Sequence, residues 1–199
     1  MPKAVLWDIG NVIVRWNPRT LYSQIFEDPA ECDRFLSDVC NMVWHVRHDF
    51  GVTSAENRLP LLEAFPHYSD QIHAWETRWW DMFSGVIAET EDVIHALAER
   101  GVPQFGLSNM SDEVFPGVRA MSPAFAHLSD VLISADVKMI KPQPDIFALL
   151  QSRYALAPAR TVFIDDLPAN VDAARVHGWH AIHFESASQL EPQLAAHID

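Results

Sequence analysis

Cysteine is almost missing from this sequence of 199 residues: only Cys32 and Cys40 occur. The segment that carries them reads as helical, and a rise of about 1.5 Å per residue puts them roughly 12 Å apart, too far for a disulfide. Two isolated thiols without a CxxC pattern point to a reducing compartment. Positive charge is scarce too, with 14 Lys and Arg against 27 Asp and Glu and a formal net charge of -13. That balance argues against nucleic acid and anionic membrane as partners, since both are held chiefly through basic surface. An anionic substrate must therefore meet a local positive centre. Long apolar runs are lacking as well. One Lys and four apolar residues precede Asp8, so the N-terminus reads neither as a signal peptide nor as a membrane span, and a cytoplasmic location is expected. Internal repeats and low-complexity tracts are also lacking.

What is present is 49% hydrophobic and 21% charged, enough for one sizeable core with a smaller inserted module. The run "AVLW" (4–7) has the form of a strand buried on both faces. After "NVIVRW" the pattern turns helical. Asn17-Pro18 and Asp28-Pro29 each place an N-cap before a proline at the first helical position, and Glu31 completes a capping box. Thr53 with Glu56 marks another start, and Ser69 opens a stripe of Ile72, Trp75, Trp79 and Met82. Residues 16–88 thus read as a helical module, set between residues 1–15 and 89–199. From Thr90 onward, helices alternate with apolar strands near 104–108, 131–134, 161–165 and 180–184. With a first strand at 4–8, they predict an α/β fold: a Rossmann-like parallel sheet with helices on both faces.

In such sheets reactive groups gather outside the carboxyl ends of the strands, near the point where strand order reverses. Asp8 ends the first strand and Ser108-Asn109 the second, while Lys141 follows the third and Asp165-Asp166 end the fourth. Singly, each has an ordinary reading as a turn, cap or exposed loop residue. Together they would meet at one edge of the sheet.

The ordered set resembles the haloacid dehalogenase superfamily, in its phosphatase branch with a helical cap inserted after the first motif. "WDIGNV" (7–12) is similar to the first motif, "LSN" (107–109) to the second, "KPQPDIF" (141–147) to the third and "FIDDLPANVDAA" (163–174) to the fourth. Order and spacing agree over essentially the whole chain, with 16–88 where the cap belongs. The resemblance implies magnesium-dependent hydrolysis of a small phosphate ester by a monomer or homodimer. Asp8 would attack phosphorus and carry an aspartyl-phosphate. Asp8, the carbonyl of Gly10 and Asp166 would hold Mg2+, with Asp165 and Asn170 in support. Lys141 would neutralise the nucleophile and phosphate, and Ser108 with Asn109 would bind phosphate oxygens.

The chain departs from the family at Gly10, where most of its phosphatases carry a second Asp that protonates the leaving group. Three readings follow. A phosphatase can work on a leaving group that needs little protonation, or take its proton from a cap residue such as His45, His48 or Asp49; sugar-1-phosphate phosphatases with a D-x-G-N-V first motif resemble this chain. Alternatively, the chain is a metal-independent 2-haloacid dehalogenase, which the adjacent acids Asp165 and Asp166 argue against because without a cation they would repel Asp8. Or it is a non-catalytic module that binds a phospho-ligand, although nothing structural requires Asp8, Lys141 and both acids together.

Within the helical module, "WHVRHD" (44–49) supplies His45, His48 and Asp49. A His-Asp pair invites comparison with all-helical metal phosphohydrolases, but those need a helical bundle with a further distant His and Asp. These residues are expected to line the cap's substrate face. Of the tryptophans, Trp75 and Trp79 read as core, and Trp80, off their stripe, reads as the surface candidate.

Overall fold

The apolar segment Ala4–Trp7 forms strand β1, buried along its whole length, and a strand buried on both faces belongs at the middle of a sheet. The computed structural model, which describes residues 3–198, has it there. Five parallel strands run in the order β5 (Val131–Ile133), β4 (Gln104–Ser108), β1, β6 (Thr161–Asp165) and β7 (His180–His183). Trp7 is in register with Gly106 on one side and Ile164 on the other. The carboxyl ends of the three central strands therefore come level, and strand order reverses at β1.

Side chains alternate across the sheet. Val5 and Trp7 pack on one face against Ile94 and Leu97 of α6 (Ala88–Glu99) and Leu190 and Leu194 of α11 (Ala187–Ile198). Leu6, Leu107 and Phe163 pack on the other against Ile146 and Leu150 of α9 (Pro144–Tyr154) and Ala174 of α10 (Pro168–Val176). Gly101 and Gly178, with φ of 71° and 81°, follow α6 and α10 in the left-handed region that ends a helix cheaply.

Between β1 and α6 lie five helices: α1 (Pro18–Ile25), α2 (Pro29–Asp38), α3 (Met42–Asp49), α4 (Ser54–Ala64) and α5 (Ser69–Thr77). They share an apolar cluster of their own, including Leu21, Tyr22, Phe35, Trp44, Ile72, Trp75 and Met82. The side chains of Asn17, Asp28 and Thr53 accept backbone N–H groups at the starts of α1, α2 and α4. A reciprocal pair joins α3 to α4: Trp44 Nε1 donates to the Asn57 carbonyl at 2.8 Å, and Asn57 Nδ2 donates to the Trp44 carbonyl at 3.1 Å.

The structure corrects the sequence reading in several places. Glu31 closes no capping box on Asp28; its carboxylate accepts a hydrogen bond from the Tyr68 hydroxyl at 3.4 Å. The segment 16–88 is not wholly helical, because Phe83–Val86 forms β3 and pairs antiparallel with β2 (Val14–Trp16). To reach that extended path the chain leaves α5 at Thr77 and passes through a short tight turn, Trp79–Met82, which breaks the expected stripe. The strand expected at 131–134 stops at Ile133, and Ser134 begins the short helix α8 (Ser134–Val137). Helix α2 ends at Asp38, before Cys40, and both cysteines are free. Among the described residues, no helix is long and apolar enough to cross a membrane.

Candidate active site

Asp8 follows directly on β1, and its N–H donates to the Ile164 carbonyl at 2.8 Å. That bond ties it beside β6, whose last residue is the fully buried Asp165. Between the two acids sits Lys141. Its Nζ lies 2.8 Å from Asp8 Oδ1 and 2.7 Å from Asp165 Oδ2, and it also donates to the Leu107 carbonyl at 3.2 Å. Burial pulls the Lys141 ammonium toward neutrality, but Asp165 and Asp8 outweigh it and hold the group charged. One cation cannot balance every acid here. The Asp8 carboxyl is pushed well above the usual carboxylate range by burial and by Asp165, against the pull of Lys141.

Asn109 fixes the lysine from the end of β4. Its Oδ1 accepts the Lys141 N–H at 2.8 Å and its Nδ2 donates to the Lys141 carbonyl at 2.9 Å. The side chain expected to bind phosphate thus also holds Lys141, and Asn109 and the buried Ser108 both line the cavity over the site. Asn170 Nδ2 lies 2.9 and 3.1 Å from the two oxygens of Asp165, and the Leu167 N–H adds a second donor at 2.9 Å. With Lys141, these donors hold the Asp165 carboxylate in place. Asp166 is less enclosed, and its carboxyl is raised by burial first and then by Asp165, while a hydrogen bond from Asn11 lowers it. Asn11 sits at φ 56°, a left-handed conformation that Asn tolerates better than most residues, and its Oδ1 accepts the Trp16 N–H at 3.0 Å.

These residues open into a cavity of about 410 Å³ lined by Asp8, Gly10, Ser108, Lys141, Asp166 and Asn170 from the sheet edge. The opposite wall comes from the helical segment and the β2–β3 ribbon: Trp16, Met42, His45, Asp49, Trp79 and Phe83. His45 stacks on Trp16, with ring centroids 5.1 Å apart at 25°, and on Trp79, 5.9 Å apart at 26°. Burial among these rings, and then His48, push the imidazole down to about 3, so it is neutral at physiological pH. Asp49 moves the other way. Burial raises its carboxyl to about 7 against the pull of Lys141.

Two of the residues expected on this wall stand elsewhere. His48 and Trp80 line an adjoining cavity of about 260 Å³ with Glu113, which shares His45 and Trp79 with the first, and the Trp80 ring packs on Gly117, where an added Cβ would come within 2.2 Å of it. The tryptophans of the larger cavity are Trp16 and Trp79 instead. Neither was singled out from the sequence as a lining residue. Trp79 reads as core from the α5 periodicity, and the turn at Trp79–Met82 redirects it. Asn11 was visible only as part of the first motif.

Asp8, Asp165 and Asp166 each offer an oxygen within 4.8 Å of the others. Three carboxylates around one ammonium leave a surplus of negative charge, and their hard oxygen donors suit a divalent cation such as magnesium. The donor set therefore fits the ion that the first-motif resemblance implies. The arrangement offers a buried carboxyl, a fixed cation beside it and a cavity in which a small anion can meet both.

Comparison with known proteins agrees. Residues 2–178 match the family model of haloacid dehalogenase-like hydrolases. The phosphorylated carbohydrates phosphatase of Thermotoga maritima is 23% identical over 188 residues, covering 91% of this chain and 84% of that protein. Among solved structures, a HAD family enzyme of Bacteroides thetaiotaomicron, crystallised with magnesium and inorganic phosphate, superposes with a TM-score of 0.71 at 24% identity, covering 94% of this chain and 96% of that one. A HAD-like family hydrolase from Porphyromonas gingivalis does so at 0.73 and 22% identity, covering 98% and 97%. With the family model spanning most of the chain and the same parallel sheet beneath the site, the protein belongs to the haloacid dehalogenase-like hydrolases.

Proposed function

We propose that the chain is a magnesium-dependent phosphatase acting on a small phosphate ester, with a sugar phosphate as the favoured class, and that helices α1–α5 form the cap over its site. The observation that carries this reading is the Lys141 ammonium held between Asp8 and Asp165 at the floor of a cavity, with Asp166 completing the acidic cluster. The name of the Thermotoga relative and the ligands of the Bacteroides enzyme support it. The cavity wall favours a sugar, because Trp16 and Trp79 offer flat apolar faces against which a sugar ring can pack.

In this mechanism Asp8 attacks phosphorus in line with the leaving oxygen and forms an aspartyl-phosphate, which water then cleaves. Lys141 holds Asp8 in place and offsets the charge of the incoming phosphate. Ser108 hydrogen-bonds a phosphate oxygen. Asn109 and Asp165 act through the lysine, one on its backbone and one on its Nζ. Magnesium, held by Asp8, the Gly10 carbonyl and Asp166 with Asp165 and Asn170 behind them, would offset charge on the phosphate when bound.

A panel of phosphate esters assayed with magnesium and with chelator tests the reading. Hydrolysis should require the metal and fall to background in Asp8→Asn. Undiminished turnover in chelator, or halide release from a 2-chloro acid, would overturn it.

A further inference from the structure

The position two residues after Asp8 is Gly10, which has no side chain to protonate the leaving group. An ideal Cβ built there meets nothing within 4 Å, so the space is open cavity and no neighbouring side chain has moved in to fill it. The wall opposite Asp8 is the place to look for a donor, since Asp166 on the near side belongs to the acidic cluster. Three groups on α3 are chemically able: His45, His48 and Asp49. His48 lines the neighbouring cavity. His45 and Asp49 share the cavity with Asp8, with His45 Nε2 3.8 Å from Asp49 Oδ1.

All three have a buried polar atom without a hydrogen-bond partner, His45 at Nδ1 and His48 at Nε2, but of the two that share the cavity with Asp8 only Asp49 is a carboxyl. It is only 6% exposed, and its buried Oδ1 has no hydrogen-bond partner. A buried acid with no donor to satisfy it is costly and persists best in its protonated form. Its backbone, by contrast, is firmly anchored to the core. The buried Ser134 hydroxyl at the start of α8 donates to the Asp49 carbonyl at 2.6 Å. Two residues on, Gly51 at φ 77° presses against α8, where an added Cβ would come within 2.9 Å of the Ala135 carbonyl.

We propose that Asp49 is the catalytic acid, supplying from α3 the proton that no side chain at Gly10 can give. The inference rests on the phosphatase reading. As the bond between phosphorus and the leaving oxygen breaks, the Asp49 carboxyl gives its proton to that oxygen and becomes a carboxylate. When water attacks the aspartyl-phosphate, the carboxylate takes a proton back, so the cycle closes without another reactant. The shift of Asp49 to about 7 supports this, since an acid works best when its pKa lies near the working pH. His45, shifted to about 3, carries no such proton at neutral pH.

The test is a leaving-group series of similar shape, p-nitrophenyl, phenyl and p-methoxyphenyl phosphate, read as single-turnover phosphorylation of Asp8. Asp49→Asn should lose about 10²-fold on the p-methoxyphenyl ester, the low end of what a positioned acid contributes, and at least about 10-fold less on the p-nitrophenyl ester. Equal loss on all three esters, or none, would overturn the proposal. A readout on the unmutated protein stands beside it: a normal solvent deuterium effect on phosphorylation that grows along the series, whose absence would be equally decisive against Asp49. Failure of the wild type to phosphorylate Asp8 with any ester would instead refute the phosphatase reading itself and take the proposal with it.

Discussion

Asn109 and Lys141 form a reciprocal pair across the sheet edge, the amide side chain of one accepting at 2.8 Å from the backbone N–H of the other and donating at 2.9 Å to its carbonyl. The pair explains how a lysine on a loop is held to the position its charge requires. Its ammonium needs to reach Asp8 and Asp165 together, and a flexible side chain does so reliably only when its backbone is clamped.

Removing the clamp should therefore cost turnover more than affinity. Asn109→Ala is expected to lower kcat by about 10²-fold, the usual penalty for a misplaced catalytic group, with a smaller change in KM. Steady-state kinetics on p-nitrophenyl phosphate measures both. A rise in KM at constant kcat would mean that Asn109 binds substrate and does not position Lys141.

The open space at Gly10 allows a gain-of-function test. Its φ lies outside the left-handed range, and nothing stands within 4 Å of an added Cβ, so Asp fits there. Gly10→Asp should change the wild-type leaving-group dependence little and restore much of the rate that Asp49→Asn loses on the p-methoxyphenyl ester. If the double variant stays as slow as Asp49→Asn, an acid at position 10 does not reach the leaving oxygen.

Stability should depend on pH with opposite signs at the two cavity groups. Asp49 has its folded pKa raised to about 7 from 3.8, so its contribution is fully present below the unfolded value and is lost as pH rises through the folded one. Asp49→Asn should then gain stability over wild type between pH 4 and 7, by up to about 4 kcal/mol. His45, lowered to about 3 from 6.5, stabilises above its unfolded value and loses that contribution as pH falls. His45→Gln should lessen acid destabilisation by about 1.4 kcal/mol per pH unit below that value. Urea midpoints at several pH values read both effects, and a difference independent of pH would contradict the burial argument.

Trp79 and Trp80 should behave differently although they are adjacent. Trp79 lines the large cavity, so Trp79→Ala should change the ratio of rates between a sugar phosphate and p-nitrophenyl phosphate. Trp80 packs on Gly117, and Trp80→Ala should lower stability by about 1 kcal/mol without altering that ratio. The reverse pattern would return Trp80 to the substrate wall.

Much of this was legible in the chain itself. The five strands of the parallel sheet between Ala4 and His183 and the main helices that join them follow from local apolar runs and caps, because a parallel sheet buries each strand on both faces and leaves a plain mark, while the last helix, α11, was not foreseen. The gathering of Asp8, Lys141, Asp165 and Asp166 followed from their places at strand ends. What stayed hidden depended on distant partners. β3 is four residues, Phe83–Val86, with a glycine inside, and it is a strand only because β2 lies beside it. Trp80 is 49% exposed, as its place off the stripe implies, whereas Trp79 faces the cavity because a tight turn interrupts the helix that periodicity extends through it. The commitment of Asn109 to Lys141 joins residues 32 apart and has no local signature.

The most direct measurement on the central claim is acid quench of the enzyme during turnover of a phosphate ester with magnesium, followed by mass analysis of the peptide containing Asp8. The account predicts a phosphoryl group on the Asp8 side chain, formed and lost at rates that match turnover and absent when magnesium is chelated. Phosphate release at full rate with Asp8 unmodified, or with the phosphoryl group on another residue, would contradict it.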